Sequence, residues 1–273
     1  MAYASGMVIA NGVNLNYYRT GGSKPPMVLL HGVTDDGLCF SPIADVLAEN
    51  YDVIMVDMRG HGKSEAPETG YTLTVMAGEV AALIKELKLE KPIIMGHSMG
   101  AITTLTLAGL YPDVARAIVL EDPPPFWMIK KTDKSEPPSP NMLALWIASN
   151  KRKTKEELFT EVRTGNPGWA EAELEPWVNS KLRYSPRIVE MVQMDDLPEM
   201  DFESLVKNVT CPVLMLTADT QKGAIVTEKD AAALNQGIPQ LEVVHIDGAG
   251  HSIRRDQFGR FMQAVQTFLA TIN

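Results

Sequence analysis

The sequence predicts an α/β protein built around a mostly parallel sheet, and three observations predict it. Apolar runs of strand length at 27–30, 53–56, 93–95, 117–120 and 213–216, several rich in Val and Ile, are almost uninterrupted, the pattern of strands buried on both faces. Helical stretches separate them. The first twenty residues differ: VIANGVNLNYY places Asn11-Gly12 between two alternating runs, the signal of a tight hairpin.

Taken in order, an antiparallel hairpin leads into the parallel part, with helices expected at 42–49, 73–87, 100–110 and, last, 257–271. In the second of these Leu73, Met76, Val80, Leu83, Ile84 and Leu87 recur every three or four residues and form one apolar stripe. Residues 241–246 supply the last strand. Between Pro123 and about Pro198 the alternation stops. Ten of the eighteen prolines and all four tryptophans (Trp127, Trp146, Trp169, Trp177) fall there. Helical segments at 141–149, 155–163 and 171–182 are joined by Pro- and Gly-rich links, and 130–140 (KKTDKSEPPSP) reads as an exposed loop. Insertions this long usually carry function. The expected organisation is therefore a core of 1–122 and 206–273 interrupted by a helical lid at 123–205.

A chain of 273 residues fits one large domain carrying an insertion. No apolar run approaches the ~20 residues of a membrane helix, and no secretory signal is legible, so a soluble, cytoplasmic protein is expected. Two cysteines, Cys39 and Cys211, supply neither a disulfide framework nor a four-cysteine zinc site. A net charge of −9 disfavours a nucleic-acid partner. A small-molecule substrate is the expected partner, with no membrane, and with a monomer or homodimer as the assembly.

The chemistry concentrates in Gly96-His97-Ser98-Met99-Gly100, which follows the strand PIIM and precedes the helical run AITTLTLAGL. A serine at so sharp a strand-to-helix turn holds a strained backbone, and flanking glycines remove the Cβ atoms that would clash. The turn exposes the hydroxyl above the sheet edge and puts the Met99 N–H at a helix start, where it can donate to a developing negative oxygen. A serine hydroxyl needs a base. Of five histidines, His97 neighbours Ser98 and points away as a packed turn residue, His245 lies within a strand, and His31 and His61 belong to turns. His251, in the Gly-rich loop DGAGHS after the last strand, can swing over the sheet edge as general base.

The base needs a carboxylate to orient it. Asp219 ends the strand VLMLTAD and gives the chain order Ser98, Asp219, His251; the alternative is Asp122, with Glu121, at the end of the strand AIVL. In VLLHGVTDDG, Gly32 permits close approach and the Val33 N–H is the natural second oxyanion donor. Asp57-Met58-Arg59-Gly60-His61-Gly62-Lys63-Ser64 lacks phosphate-loop spacing and a metal-ligand set, and reads as a bracing turn.

With LLHG at 29–32, DMRGHGKS at 57–64, GHSMG at 96–100, the strand ending in Asp219 and DGAGH at 247–251, the chain resembles the α/β-hydrolase superfamily along nearly its whole length. It looks like the capped, cofactor-free esterase, lactonase and C–C hydrolase branch. The resemblance implies an α/β-hydrolase fold, with a mostly parallel eight-stranded sheet flanked by helices and a helical cap inserted after the sixth strand. It also implies a Ser98–His251–Asp219 triad, backbone donors at Val33 and Met99, and neither cofactor nor metal. Dehalogenases and epoxide hydrolases of the family carry Asp where Ser98 stands, and are disfavoured.

The expected reaction is hydrolysis of a carboxylic ester or lactone through an acyl-enzyme. Trp127 and Trp146 are candidates for holding an apolar or aromatic part of the substrate. A C–C hydrolase of a ring-fission diketone would use the same triad and an Arg such as Arg152, Arg163 or Arg183 for a substrate carboxylate. A perhydrolase, a cofactor-free haloperoxidase and a non-enzymatic ligand receptor on the same fold are also compatible with these residues.

Overall fold

The computed structural model describes residues 3–128, 142–190 and 200–272; the loop expected at 130–140 lies outside them. Eight strands form one sheet: β1 (Ala4–Ala10), β2 (Val13–Arg19), β3 (Pro26–Leu30), β4 (Asp52–Val56), β5 (Ile93–His97), β6 (Ala117–Glu121), β7 (Val213–Ala218) and β8 (Leu241–Ile246). Their order is β1-β2-β4-β3-β5-β6-β7-β8. β1 and β2 form the antiparallel hairpin, β2 meets β4 antiparallel, and every later pair is parallel.

Residues two apart in the central strands share a face. Val28, Leu30, Ile94, Ile118, Leu120, Val213 and Met215 enter one core, with Met76, Val80 and Leu83 of α2 (Leu73–Glu86) and Ile102 and Leu105 of α3 (Met99–Leu110). Met27, Leu29, Ile93, Met95, Val119 and Leu214 enter the other, against Ile43 of α1 (Ser41–Leu47). Burial on both sides is why these strands read as continuous apolar runs rather than as alternation.

Between β6 and β7 lie α4 (Met142–Asn150), α5 (Lys155–Gly165) and α6 (Glu171–Arg183), followed by α7 (Phe202–Lys207). The first three share a small core of Leu158, Val162, Leu174, Trp177 and Val178, with Trp146 and Trp169 packed at its border. α7 packs on α3, so the boundary expected at 205 falls inside a helix of the main body; a Cβ on Gly109 would lie 2.5 Å from the Leu205 carbonyl oxygen. α8 (Glu228–Gly237) is an addition to the helices expected from periodicity, although Thr227 and Asp230 form a capping box at its start. The final helix begins earlier than expected, as α9 (Ile253–Asp256), and continues as α10 (Phe258–Leu269), whose Phe261, Val265 and Phe268 complete the second core. No helix among the described residues is long and apolar enough to cross a membrane.

The helical insertion is fastened to the sheet edge by indole N–H bonds and buried ions. Trp127 donates to the Asp230 carbonyl (2.9 Å) and Trp169 to the Asp256 carboxylate (2.7 Å). From α6, Lys181 reaches Asp35 (2.9 Å), Arg183 donates to Asp36 (2.7 Å) and Glu173 accepts from Arg255 (3.2 Å). Asp35 also accepts from Arg254 and Arg255, and Arg254 pairs with Glu121. Burial alone would raise the Asp35 pKa, but Arg255, Lys181 and Arg254 outweigh it and hold the carboxyl well below its usual range. Asp36 is in the opposite situation: burial, with the nearby Asp57, pushes it up to about 6 despite Arg183.

Two outcomes follow for stability. A Cβ on Gly100 would lie 2.0 Å from the Leu30 carbonyl oxygen and one on Gly96 2.2 Å from the Gly100 oxygen. Gly100→Ala therefore forces β3 and α3 apart and lowers stability by about 1–3 kcal/mol, read as a fall in the thermal midpoint. Because the folded-state pKa of Asp36 lies above the unfolded value near 4, its contribution is complete below about pH 4 and is lost as pH rises through about 6. Denaturant titrations across pH 4–7 should thus show the wild type losing up to about 2–3 kcal/mol relative to Asp36→Asn. Parallel curves for the two proteins would reject this assignment.

Candidate active site

The parallel register places the ends of β3, β5, β6, β7 and β8 along one sheet edge, and the site is assembled from the loops that leave it. Ser98 follows β5 with φ 51° and ψ −115°, a left-handed conformation that a serine adopts only when its surroundings impose it. The imposition is visible: its N–H donates to the Glu121 carbonyl (2.9 Å), and its own carbonyl accepts the Ala101 and Ile102 N–H groups that start α3. The side chain is nearly buried. Met99 is the first residue of α3, so its N–H has no acceptor within the helix.

His251 lies beside this turn. Its ring packs on that of His97, the residue before Ser98, with centroids 4.8 Å apart, and its backbone carbonyl accepts from His97 Nε2 (2.9 Å). Burial lowers the His97 pKa well below its usual value, so this ring is neutral and its Nε2 proton serves the His251 loop. The packed role expected for His97 is thus the observed one.

The acidic partner of His251 is Asp122 and not Asp219. Asp122 Oδ2 lies 2.7 Å from His251 Nδ1, fully buried, while the imidazole is 35% exposed. Two further donors fix the carboxylate: the N–H groups of Ile225 (2.9 Å) and Val226 (3.1 Å). Asp122, like Ser98, has a positive φ (43°), which turns its side chain back over the edge; Asp tolerates that region better than most residues. Asp219 ends the adjacent strand but is engaged otherwise. It accepts from Gly248 N–H (2.9 Å) and meets His245 Nε2 (3.2 Å), and its own N–H donates to the Ala249 carbonyl. The Gly248 N–H holds its carboxyl below the usual carboxylate range. Asp219 staples β7 to the loop that carries His251, one step removed from the imidazole.

The loop 31–36 carries Val33, whose N–H is the other expected donor. The Gly32 carbonyl accepts the Asp35 N–H (3.0 Å) and faces His31 Nδ1 (2.8 Å). Across a planar trans peptide the Val33 N–H points the other way. His31 Nε2 accepts from Met58 N–H (3.0 Å), so Nδ1 carries the proton, and burial depresses the pKa of this ring to about 3. His61 Nε2 meets the Val33 carbonyl at 2.5 Å. A Cβ on Gly32 would lie 2.9 Å from His97 Nδ1, so this loop and the serine turn touch only because residue 32 is glycine. The turn 57–64 braces the loop as expected, with the buried Asp57 accepting from Gly37 and Lys63 N–H groups and from Asn16.

Other expected residues are placed differently. Trp127 is half-buried and commits its indole N–H to Asp230; Trp146 packs between the main core and that of the insertion. Arg183 is spent on Asp36 and Arg163 on Glu171, while Arg152 is exposed. Asp219, His245 and Asp247 bring one ligand atom each within 4.8 Å, but on an exposed rim where Asp219 and His245 already pair and Arg260 lies near Asp247.

Comparison with known proteins agrees with the architecture. Over 270 residues the chain is 27% identical to the N-formylmaleamate deformylase of Pseudomonas putida, covering 97% of this chain and 96% of that protein. It is 29% identical over 266 residues to the 2-(acetamidomethylene)succinate hydrolase of Mesorhizobium japonicum, covering 92% and 90%. The crystal structure of the esterase RhEst1 from Rhodococcus sp. superimposes with a TM-score of 0.77 at 25% identity, covering 100% of both chains. Residues 25–254 match the family model described as the alpha/beta hydrolase fold, and the chain belongs to that family.

Proposed function

We propose that this protein is a serine hydrolase that cleaves a small carboxylic ester through an acyl-enzyme formed on Ser98. The observation that carries this reading is the 2.7 Å bond from a buried Asp122 to His251 Nδ1, with the imidazole lying against the strained serine turn. Nδ1 is committed to the carboxylate, which leaves Nε2 for the serine proton.

In the first step His251 Nε2 takes the Ser98 proton as Oγ adds to the substrate carbonyl carbon. The carbonyl electrons move to oxygen, and the Val33 and Met99 N–H groups receive the resulting oxyanion. Asp122 holds the imidazolium without taking its proton. The tetrahedral centre then collapses, the C–O bond breaks, and Nε2 hands its proton to the departing alcohol. Water, deprotonated by the same nitrogen, attacks the acyl-enzyme; collapse releases the acid and restores Ser98. The insertion serves as a cap over this site. Trp146 is the aromatic available to an apolar substrate part, and Trp127 is an anchor.

A second reading has its own support. The two named relatives that align over nearly the whole chain act, by name, on N-acyl compounds, so an activated amide is the competing substrate. The same triad serves it, with nitrogen as the leaving atom. The C–C hydrolase reading loses ground because Arg163 and Arg183 are already paired.

Ser98→Ala should abolish turnover of p-nitrophenyl acetate and of an N-formyl enamide while keeping the native circular dichroism, and the ratio of the two wild-type rates ranks ester against amide. Turnover persisting in the variant would reject the acyl-enzyme. Asp122→Asn should lower kcat by about 10²–10⁴ through the wrong imidazole tautomer, whereas Asp219→Asn should stay within about tenfold of wild type. The reverse ranking, measured in the same assay, would return the acid role to Asp219.

A further inference from the structure

We propose that Lys181, on helix α6 of the insertion, is a positioning residue that holds the loop carrying the oxyanion donor at Val33. This rests on the acyl-transfer reading above and adds to it a residue outside the triad on which placement of the donor depends.

Three successive carbonyls of the oxyanion loop are each held by a different part of the protein. The Gly32 carbonyl is held by Asp35 N–H and faces His31, both within the loop itself. The Val33 carbonyl meets His61, from the turn after β4. The Thr34 carbonyl accepts from Lys181 Nζ at 3.1 Å. Only the third holder comes from the insertion. Lys181 has no solvent exposure, and its ammonium also reaches Asp35 Oδ1 (2.9 Å) and Ser180 Oγ (3.2 Å), which uses its three protons; it lies 4.4 Å from the centre of the Trp177 ring.

Lys181 completes the charge balance of the buried cluster, because Arg254 and Arg255 are shared with Glu121 and Glu173 as well as Asp35, but its bond to the Thr34 carbonyl goes beyond that balance. What Lys181 adds is a grip on the residue next to Val33. This grip fixes the Thr34–Asp35 peptide, the second after the one that carries the donor. Without the lysine the loop loses one of its three restraints, and the Val33 N–H drifts from the position at which the oxyanion forms. Sub-ångström placement matters for such donors, since their value lies in being aimed before the charge develops.

The test compares Lys181→Met with Glu173→Gln, using p-nitrophenyl acetate and the intact protein. Glu173→Gln weakens another anchor of the same helix, its bond to Arg255, without touching a loop carbonyl. Lys181→Met should lower kcat about tenfold or more with KM within threefold, and Glu173→Gln should keep kcat within threefold. A fall below threefold in Lys181→Met, a change confined to KM, or an equal kcat loss in Glu173→Gln would overturn the positioning role of Lys181. If Lys181→Met lacks the native circular dichroism, Lys181→Gln replaces it: the amide is polar but one bond too short for the Thr34 carbonyl, and the same thresholds apply. Failure of the underlying reading looks different, as wild type that neither turns over esters nor is labelled at Ser98 by a fluorophosphonate.

Discussion

Asp122 is the point at which distant parts of the chain become one site. Its own N–H continues the sheet by donating to the Leu216 carbonyl, its carboxylate accepts two N–H groups from the loop after β7, and one oxygen holds His251 from the loop after β8. A buried carboxylate without such donors would be expensive, since each bond replaces solvation lost on burial. With them it becomes a rigid acceptor. The orientation of the imidazole, with Nδ1 committed to the carboxylate, follows from that rigidity.

A second buried assembly serves the same edge. Lys181, Arg254 and Arg255 meet Asp35, Glu121 and Glu173 in a cluster of equal and opposite charges. Such clusters rarely add much stability over apolar packing, because desolvation offsets the attraction. Their value is directional. Each of these pairs joins elements far apart in sequence, and two of them, Lys181 with Asp35 and Glu173 with Arg255, select one seating of the insertion on the sheet edge. The two indole bonds from Trp127 and Trp169 act likewise, which accounts for much of the tryptophan content of the segment.

Much of this was legible in the chain because it is local. The elbow at 96–100 declares itself through two glycines that no larger residue can replace, and the central strands through burial on both faces. His251 was identifiable as the candidate base from a Gly-rich loop after the last strand. The capping box at Thr227–Asp230 was also present in the sequence and marks α8, but a short helix with little apolar content leaves a weak periodic signal.

By itself, then, the sequence determined the alternation of strands and helices, the serine turn, the candidate base and the place of the insertion, since each depends on residues within a few positions of one another. Only the tertiary structure decided which acid partners that histidine. Asp122 and Asp219 both end strands, and those strands are neighbours in the sheet; the positive φ at Asp122 and the amides of Ile225 and Val226 choose between them. It also decided that Lys181, Arg254 and Arg255 are interior rather than solvated, because a charge shows its partner only once the chain has brought the two together.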